Sequence, residues 1–82
     1  MLSVIAVTAK DMENRLLEAF PGADVLVHDL TGTADHWEVR VRATQFQGKT
    51  RIAQQRAIMD VFAAELATGE VHALTMKTLI KE

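Results

Sequence analysis

Between His36 and Thr44 the chain alternates without a slip: Trp37, Val39, Val41 and Ala43 take one parity, and His36, Glu38, Arg40, Arg42 and Thr44 take the other. A period of two sends successive side chains to opposite faces of a strand, so one face of this segment must be core and the other wet. An antiparallel hairpin covered on one side by helices meets that demand. Trp37 heads the inward face and is expected to pack beneath the helices. A shorter alternating run precedes it, with Val25 and Val27 set against Leu26 and His28 from Asp24 to near Leu30. The small polar stretch Thr31-Gly32-Thr33-Ala34-Asp35 suits the loop between the two strands.

Helical spacing flanks the hairpin. Thr8, followed three positions later by Asp11, has the form of a helix start, the hydroxyl meeting orphan amides and the carboxylate lying at the positive end. Met12, Leu16, Ala19 and Phe20 then supply an apolar face, and Pro21-Gly22 ends the helix, which spans about residues 9–20. After the strand break at Phe46-Gln47-Gly48-Lys49, Thr50 caps a second helix. Its inner stripe is read as Ile52, Gln55, Met59, Phe62, Ala63 and Leu66, with Arg51, Gln54 and Asp60 outside. Thr68-Gly69 closes it, glycine being the least strained residue in a left-handed cap. A last strand, Val71 to Ile80, returns to the sheet. The expected order is αββ(α)αβ, the parentheses marking a short extra helical turn. That is one α+β domain over residues 1–82, a three-stranded sheet with helices on one face. It shares the element order of a type II KH domain.

Composition narrows the chemistry. With 82 residues, 49% of them hydrophobic and 24% charged, the chain matches an ordinary small globular domain. It has no cysteine, which excludes disulfides, a thiol nucleophile and a thiolate metal site closed by this chain alone. A net charge of −2 argues against gripping nucleic acid by bulk charge. The apolar opening from Leu2 to Val7 lacks a preceding positive region, and no apolar run approaches membrane-spanning length, so the expectation is a soluble, cytoplasmic protein.

Few residues offer function. The one serine, Ser3, lies in the N-terminal lead-in without an evident histidine and acid, so no enzyme is expected. Of the three histidines, His28 is unmarked, His36 sits where the loop meets the second strand, and His72 opens the third strand with the parity of Leu74 and Met76. From spacing alone each is more readily an ordinary surface or core histidine than a ligand. No two of the four glycines are three apart, so the G-x-x-G phosphate clamp of KH domains is missing. Lys49, Arg51 and Arg56 gather around the second helix and Lys77 lies on the last strand, but a short basic cluster is usually a solvated face.

Two segments nevertheless resemble a known family. Phe46-x-Gly48-Lys49 leading into the second helix, and His72-Ala73-Leu74-Thr75-Met76-Lys77-Thr78 in the last strand, are similar to the signatures of BolA-like proteins. The segment Asp29-Leu30-Thr31-Gly32 to Asp35-His36-Trp37-Glu38-Val39 resembles that family's variable loop and second strand. The similarity runs from about Met12 to Leu79. It implies an αββααβ fold and an adaptor that pairs with a monothiol glutaredoxin. The two would share a glutathione-dependent [2Fe–2S] cluster, in iron–sulfur trafficking or in iron and redox sensing. By that resemblance His72 and His36 are the iron ligands, while the partner and its glutathione supply the thiolates. No cofactor is then expected in the isolated chain. Two alternatives remain beside it. One is a DNA-binding regulator of stress response or morphology, with Lys49, Arg51, Arg56 and Lys77 as contacts; the other is a homodimeric module without metal. Many relatives carry Arg-His or Gln-His where this chain has Gln54-Gln55, which leaves the second helix less basic than the DNA reading prefers.

Overall fold

The computed structural model describes residues 8–32 and 36–82. Helix α1 spans Ala9–Ala19, and strands β1 and β2 span Asp24–Asp29 and His36–Ala43. After a 3₁₀ turn over Thr44–Phe46 come helix α2 (Arg51–Val61), helix α3 (Ala63–Thr68) and strand β3 (Ala73–Ile80). The sheet has the order β1-β2-β3. β1 and β2 are antiparallel, whereas β2 and β3 are parallel, a pairing that needs the crossover the two helices provide.

The strand alternation holds. Trp37, Val39, Val41 and Ala43 are all buried, and Val25, Val27, Leu74 and Met76 pack against them from the flanking strands. Met12, Leu16 and Phe20 of the first helical segment, Ile58 and Phe62 of the second, and Val71 close the core. Phe46 lies in the 3₁₀ turn, fully buried, its ring edge-on to Phe20 with centroids 5.1 Å apart. A segment expected only to break the strand therefore contributes a core anchor, worth about 1.5–3 kcal/mol on burial. Thr8 caps α1, its hydroxyl accepting from the Asp11 N–H at 3.1 Å, and Thr50 caps α2 in the same way with Ala53. Ala19 is exposed rather than inward, because the buried stripe follows i, i+4 steps through Met12, Leu16 and Phe20 and leaves it to one side.

The second helix differs from its expected form in two respects. Its buried face carries Gln54, Ile58 and Phe62, so Gln54 is 6% exposed while Ile52 is 68% exposed and Met59 also faces solvent. The reason is polar. The Gln54 Nε2 donates to the carbonyls of Lys49 at 2.9 Å and Phe46 at 3.4 Å, and its Oε1 accepts from the Thr78 hydroxyl. An amide that satisfies the turn before the helix and the last strand at once is stable inside. The helix also divides at Phe62, whose backbone leaves helical geometry. Arg15 of α1 bridges the break. Its guanidinium donates to the Val61 carbonyl, lies 5.0 Å over the Phe62 ring and meets the Glu65 carboxylate at 2.8 Å. That guanidinium holds the Glu65 carboxyl below the usual glutamate range, against the opposing effect of burial. Glu65 Oε1 is buried with no hydrogen-bond partner among the described residues.

Gly69 ends α3 at φ 85°, a left-handed position that a side chain would strain. The Gly69 and Val71 N–H groups both donate to the Glu65 carbonyl, at 3.1 and 3.2 Å. β3 begins at Ala73, two residues later than expected, so His72 stands just before the strand rather than on it.

Candidate functional site

Parallel pairing brings the beginnings of β2 and β3 to one end of the sheet. His36 is opposite Ala73 in the ladder, which sets His72 beside His36. Their ring centroids are 6.2 Å apart with planes inclined at 34°. Shared use of the two rings requires the third strand to start at the His36 end, and the structure meets that condition.

The two side chains are held by different means. His36 is the first residue of β2, half-buried, and its carbonyl accepts from the Leu30 N–H at 2.9 Å, closing the hairpin. The loop ahead of it turns on Asp29, whose Oδ1 accepts from the N–H groups of Gly32 at 2.9 Å and Thr31 at 3.3 Å. Residues 33–35, the rest of the expected loop, lie outside the described residues. His72 is exposed, and its Nδ1 lies 2.7 Å from the Gly69 carbonyl. A carbonyl only accepts, so in the neutral ring the contact puts the proton on Nδ1 and leaves Nε2 its lone pair. The left-handed glycine cap therefore selects the tautomer of the histidine three residues on.

Two imidazoles would by themselves make up only half of a four-ligand sphere. Among the described residues no group of three or more His, Cys, Asp or Glu side chains converges as a metal site, and the chain has no thiol to add. Two imidazoles complete a site only with ligands from another molecule. His28 is exposed and pairs with Glu38 across the β1–β2 ladder, apart from the other two.

The basic candidates separate. Arg51 and Lys77 line one groove of about 400 Å³ at the β3 edge, whereas Lys49 and Arg56 are exposed outside it. Arg40, which sequence reasoning did not single out, joins that groove because it is the ladder partner of Lys77. Only the register could have revealed it. Arg40 and Lys77 approach opposite oxygens of Glu38 at 3.6 and 3.7 Å. No helix among the described residues is long and apolar enough to cross a membrane.

A one-sided three-stranded mixed sheet under three helices, with paired histidines at one end, defines a class that the comparisons with known proteins name. The family model of BolA-like proteins matches residues 17–82, and the chain belongs to this family. It is 37% identical over 67 residues to an uncharacterized protein of the rpoN-murA intergenic region of Acinetobacter guillouiae, covering 82% of this chain and 77% of that one. It is also similar to the crystal structure of a Bol-like protein from Babesia bovis, at TM-score 0.80 and 28% identity, covering 95% of this chain and 90% of the other. The solution structure of yeast Fra2 superposes at TM-score 0.74 and 28% identity, covering 93% of this chain and 82% of Fra2.

Proposed function

We propose that this chain is a non-enzymatic adaptor that binds a monothiol glutaredoxin and shares with it a glutathione-dependent [2Fe–2S] cluster. Its role would lie in cytoplasmic iron–sulfur trafficking or in iron and redox sensing. The observation that carries the reading is the His36–His72 pair, two imidazoles 6.2 Å apart at one sheet end in a chain without cysteine.

The donor set fits. His72 has Nδ1 engaged by the Gly69 carbonyl and so offers Nε2, the arrangement in which a second hydrogen bond fixes a ligating ring. His36, anchored at the start of a strand, supplies the neighbouring ring. Thiolates of the partner and its glutathione would complete the ligation. Replacing thiolate by neutral imidazole raises the cluster's potential and makes that end sensitive to protonation, which suits transfer or sensing better than electron transport.

The test is co-purification with a monothiol glutaredoxin and glutathione, followed by visible absorption and circular dichroism. His72→Ala is expected to abolish most cluster retention, since it removes the ring whose tautomer is already set. His36→Ala should still permit assembly, with an altered spectrum and faster loss. Wild-type decay in both variants, or no complex at all, would refute the proposal. The DNA-regulator reading has weaker support, because only Arg51 and Lys77 of its four basic residues line the groove at the β3 edge and the chain carries a net charge of −2.

A further inference from the structure

β3 is an edge strand of eight residues whose one charged side chain is Lys77. Such an edge presents an unpaired row of backbone donors and acceptors, which proteins usually protect with several charges, a proline or a covering element. Here the strand carries Leu79, 63% exposed, and Ile80, also exposed. Along its second half runs the groove of about 400 Å³, lined by Arg40, Arg51 and Lys77 together with Met76, Thr78, Leu79 and, on the helix, Gln55.

The charge of this groove is uneven. Arg40 and Lys77 share the single carboxylate of Glu38, and Arg51 has no ion pair within 4 Å among the described residues. A chain of net charge −2 therefore keeps a local positive excess beside an open strand edge. We infer that this edge and groove bind an extended acidic segment of a partner protein. The segment would add a strand to β3 through main-chain hydrogen bonds, with its carboxylates meeting Arg51, Lys77 and Arg40.

Two other occupants fit less well. A second copy laid along β3 would bring the same three cations to the groove and no carboxylate that complements them. Single-stranded nucleic acid binds through aromatic stacking as well as cations, and no aromatic side chain lines the groove. The site lies toward the far end of β3 from the histidine pair, so it stands whether or not that pair binds a cluster.

The experiment uses the full chain, ¹⁵N-labelled, titrated with a blocked heptapeptide of alternating Glu and Val. Controls are the same peptide with Lys in place of Glu and a single-stranded oligonucleotide. Amide shifts are expected at Met76–Leu79, Arg51 and Gln55, with slowed hydrogen exchange along β3 and affinity that falls as salt rises. Arg51→Glu should weaken the acidic peptide by about tenfold, equivalent to roughly 1.4 kcal/mol. Its fold should survive, because Arg51 is exposed at the first position of α2, where an acid is favoured. Equal binding of the Lys peptide, shifts away from β3, or no binding by the wild type would overturn the inference. So would tighter binding of the oligonucleotide at the same residues, or concentration-dependent self-association through β3.

Discussion

Replacing Gln54 by leucine isolates what a buried amide contributes to this fold. The volume is nearly kept, but the carbonyl of Lys49 loses a donor at 2.9 Å and the Thr78 hydroxyl loses its acceptor. The Phe46 carbonyl stays partnered, since it also accepts from the Lys49 N–H at 3.1 Å. Lys49 is exposed, so water can replace its lost donor, whereas Thr78 is half-buried and its hydroxyl is stranded. One stranded group and one weakened hydrogen bond together cost about 1–3 kcal/mol. A domain of this size has roughly 4–12 kcal/mol of stability, so Gln54→Leu should fold but with a clear deficit. In urea, with a slope of about 1–3 kcal/mol per molar, the midpoint should fall by roughly 1 M. The single tryptophan, Trp37, is buried in the core and reports the transition by fluorescence. Adding Thr78→Val removes the stranded hydroxyl, and the double variant should recover part of the loss, a coupling of about 0.5–3 kcal/mol. An unchanged midpoint for Gln54→Leu would mean that the amide lies on the surface after all, and that the inward stripe is the one through Ile52 and Met59.

Two further perturbations probe other parts of the fold. Glu65→Gln should lower stability at neutral pH and flatten its dependence on acid. The Arg15 guanidinium depresses the folded pKa of Glu65, so the pair's contribution is complete above the ordinary glutamate value and lost as pH falls through the folded one. Thermal unfolding of both chains by circular dichroism should therefore converge in acid; a constant gap across the titration would refute this. In ¹⁵N–¹H long-range NMR of the isolated chain near neutral pH, neutral His72 should show its proton on Nδ1. Gly69→Ala, forced into a left-handed conformation, should cost about 1–2 kcal/mol, read from the same thermal unfolding. An Nε2-protonated His72 in the wild-type chain would dismiss the Gly69 contact.

The parts of the fold that were legible in the sequence are those in which one side chain's polarity decides its face. Trp37 to Ala43 satisfied that condition, while the Thr8 and Thr50 caps and the left-handed Gly69 were legible because their roles are local to the backbone beside them. Gln54 did not, because polarity points outward unless partners are known, and its partners come from the preceding turn and from Thr78 on another strand. The break at Phe62 was hidden for a similar reason. The group that accommodates it, Arg15, belongs to a helix far away in sequence. Spacing alone offered His36 and His72 only as separate residues of doubtful role, and their pairing required the direction of β3. The family resemblance supplied the two positions, and the parallel ladder places them together. Arg40 was missed because parity puts it on the wet face without saying which cation of β3 lies beside it.

The parallel ladder between β2 and β3 has a thermodynamic corollary. The rings of His36 and His72 are distant along an unfolded chain and become neighbours only when β3 takes its register. A shift by two residues would preserve every buried face yet displace one ring by about 6.6 Å. Any ligand that spans both rings therefore acts as a clasp on the last strand, binding the registered sheet and not its slipped or unzipped forms. At a concentration a hundredfold above its dissociation constant, such a ligand would add about 2.7 kcal/mol to the closing of β3. Release of the ligand and loosening of that strand then become a single equilibrium, open to influence from either side.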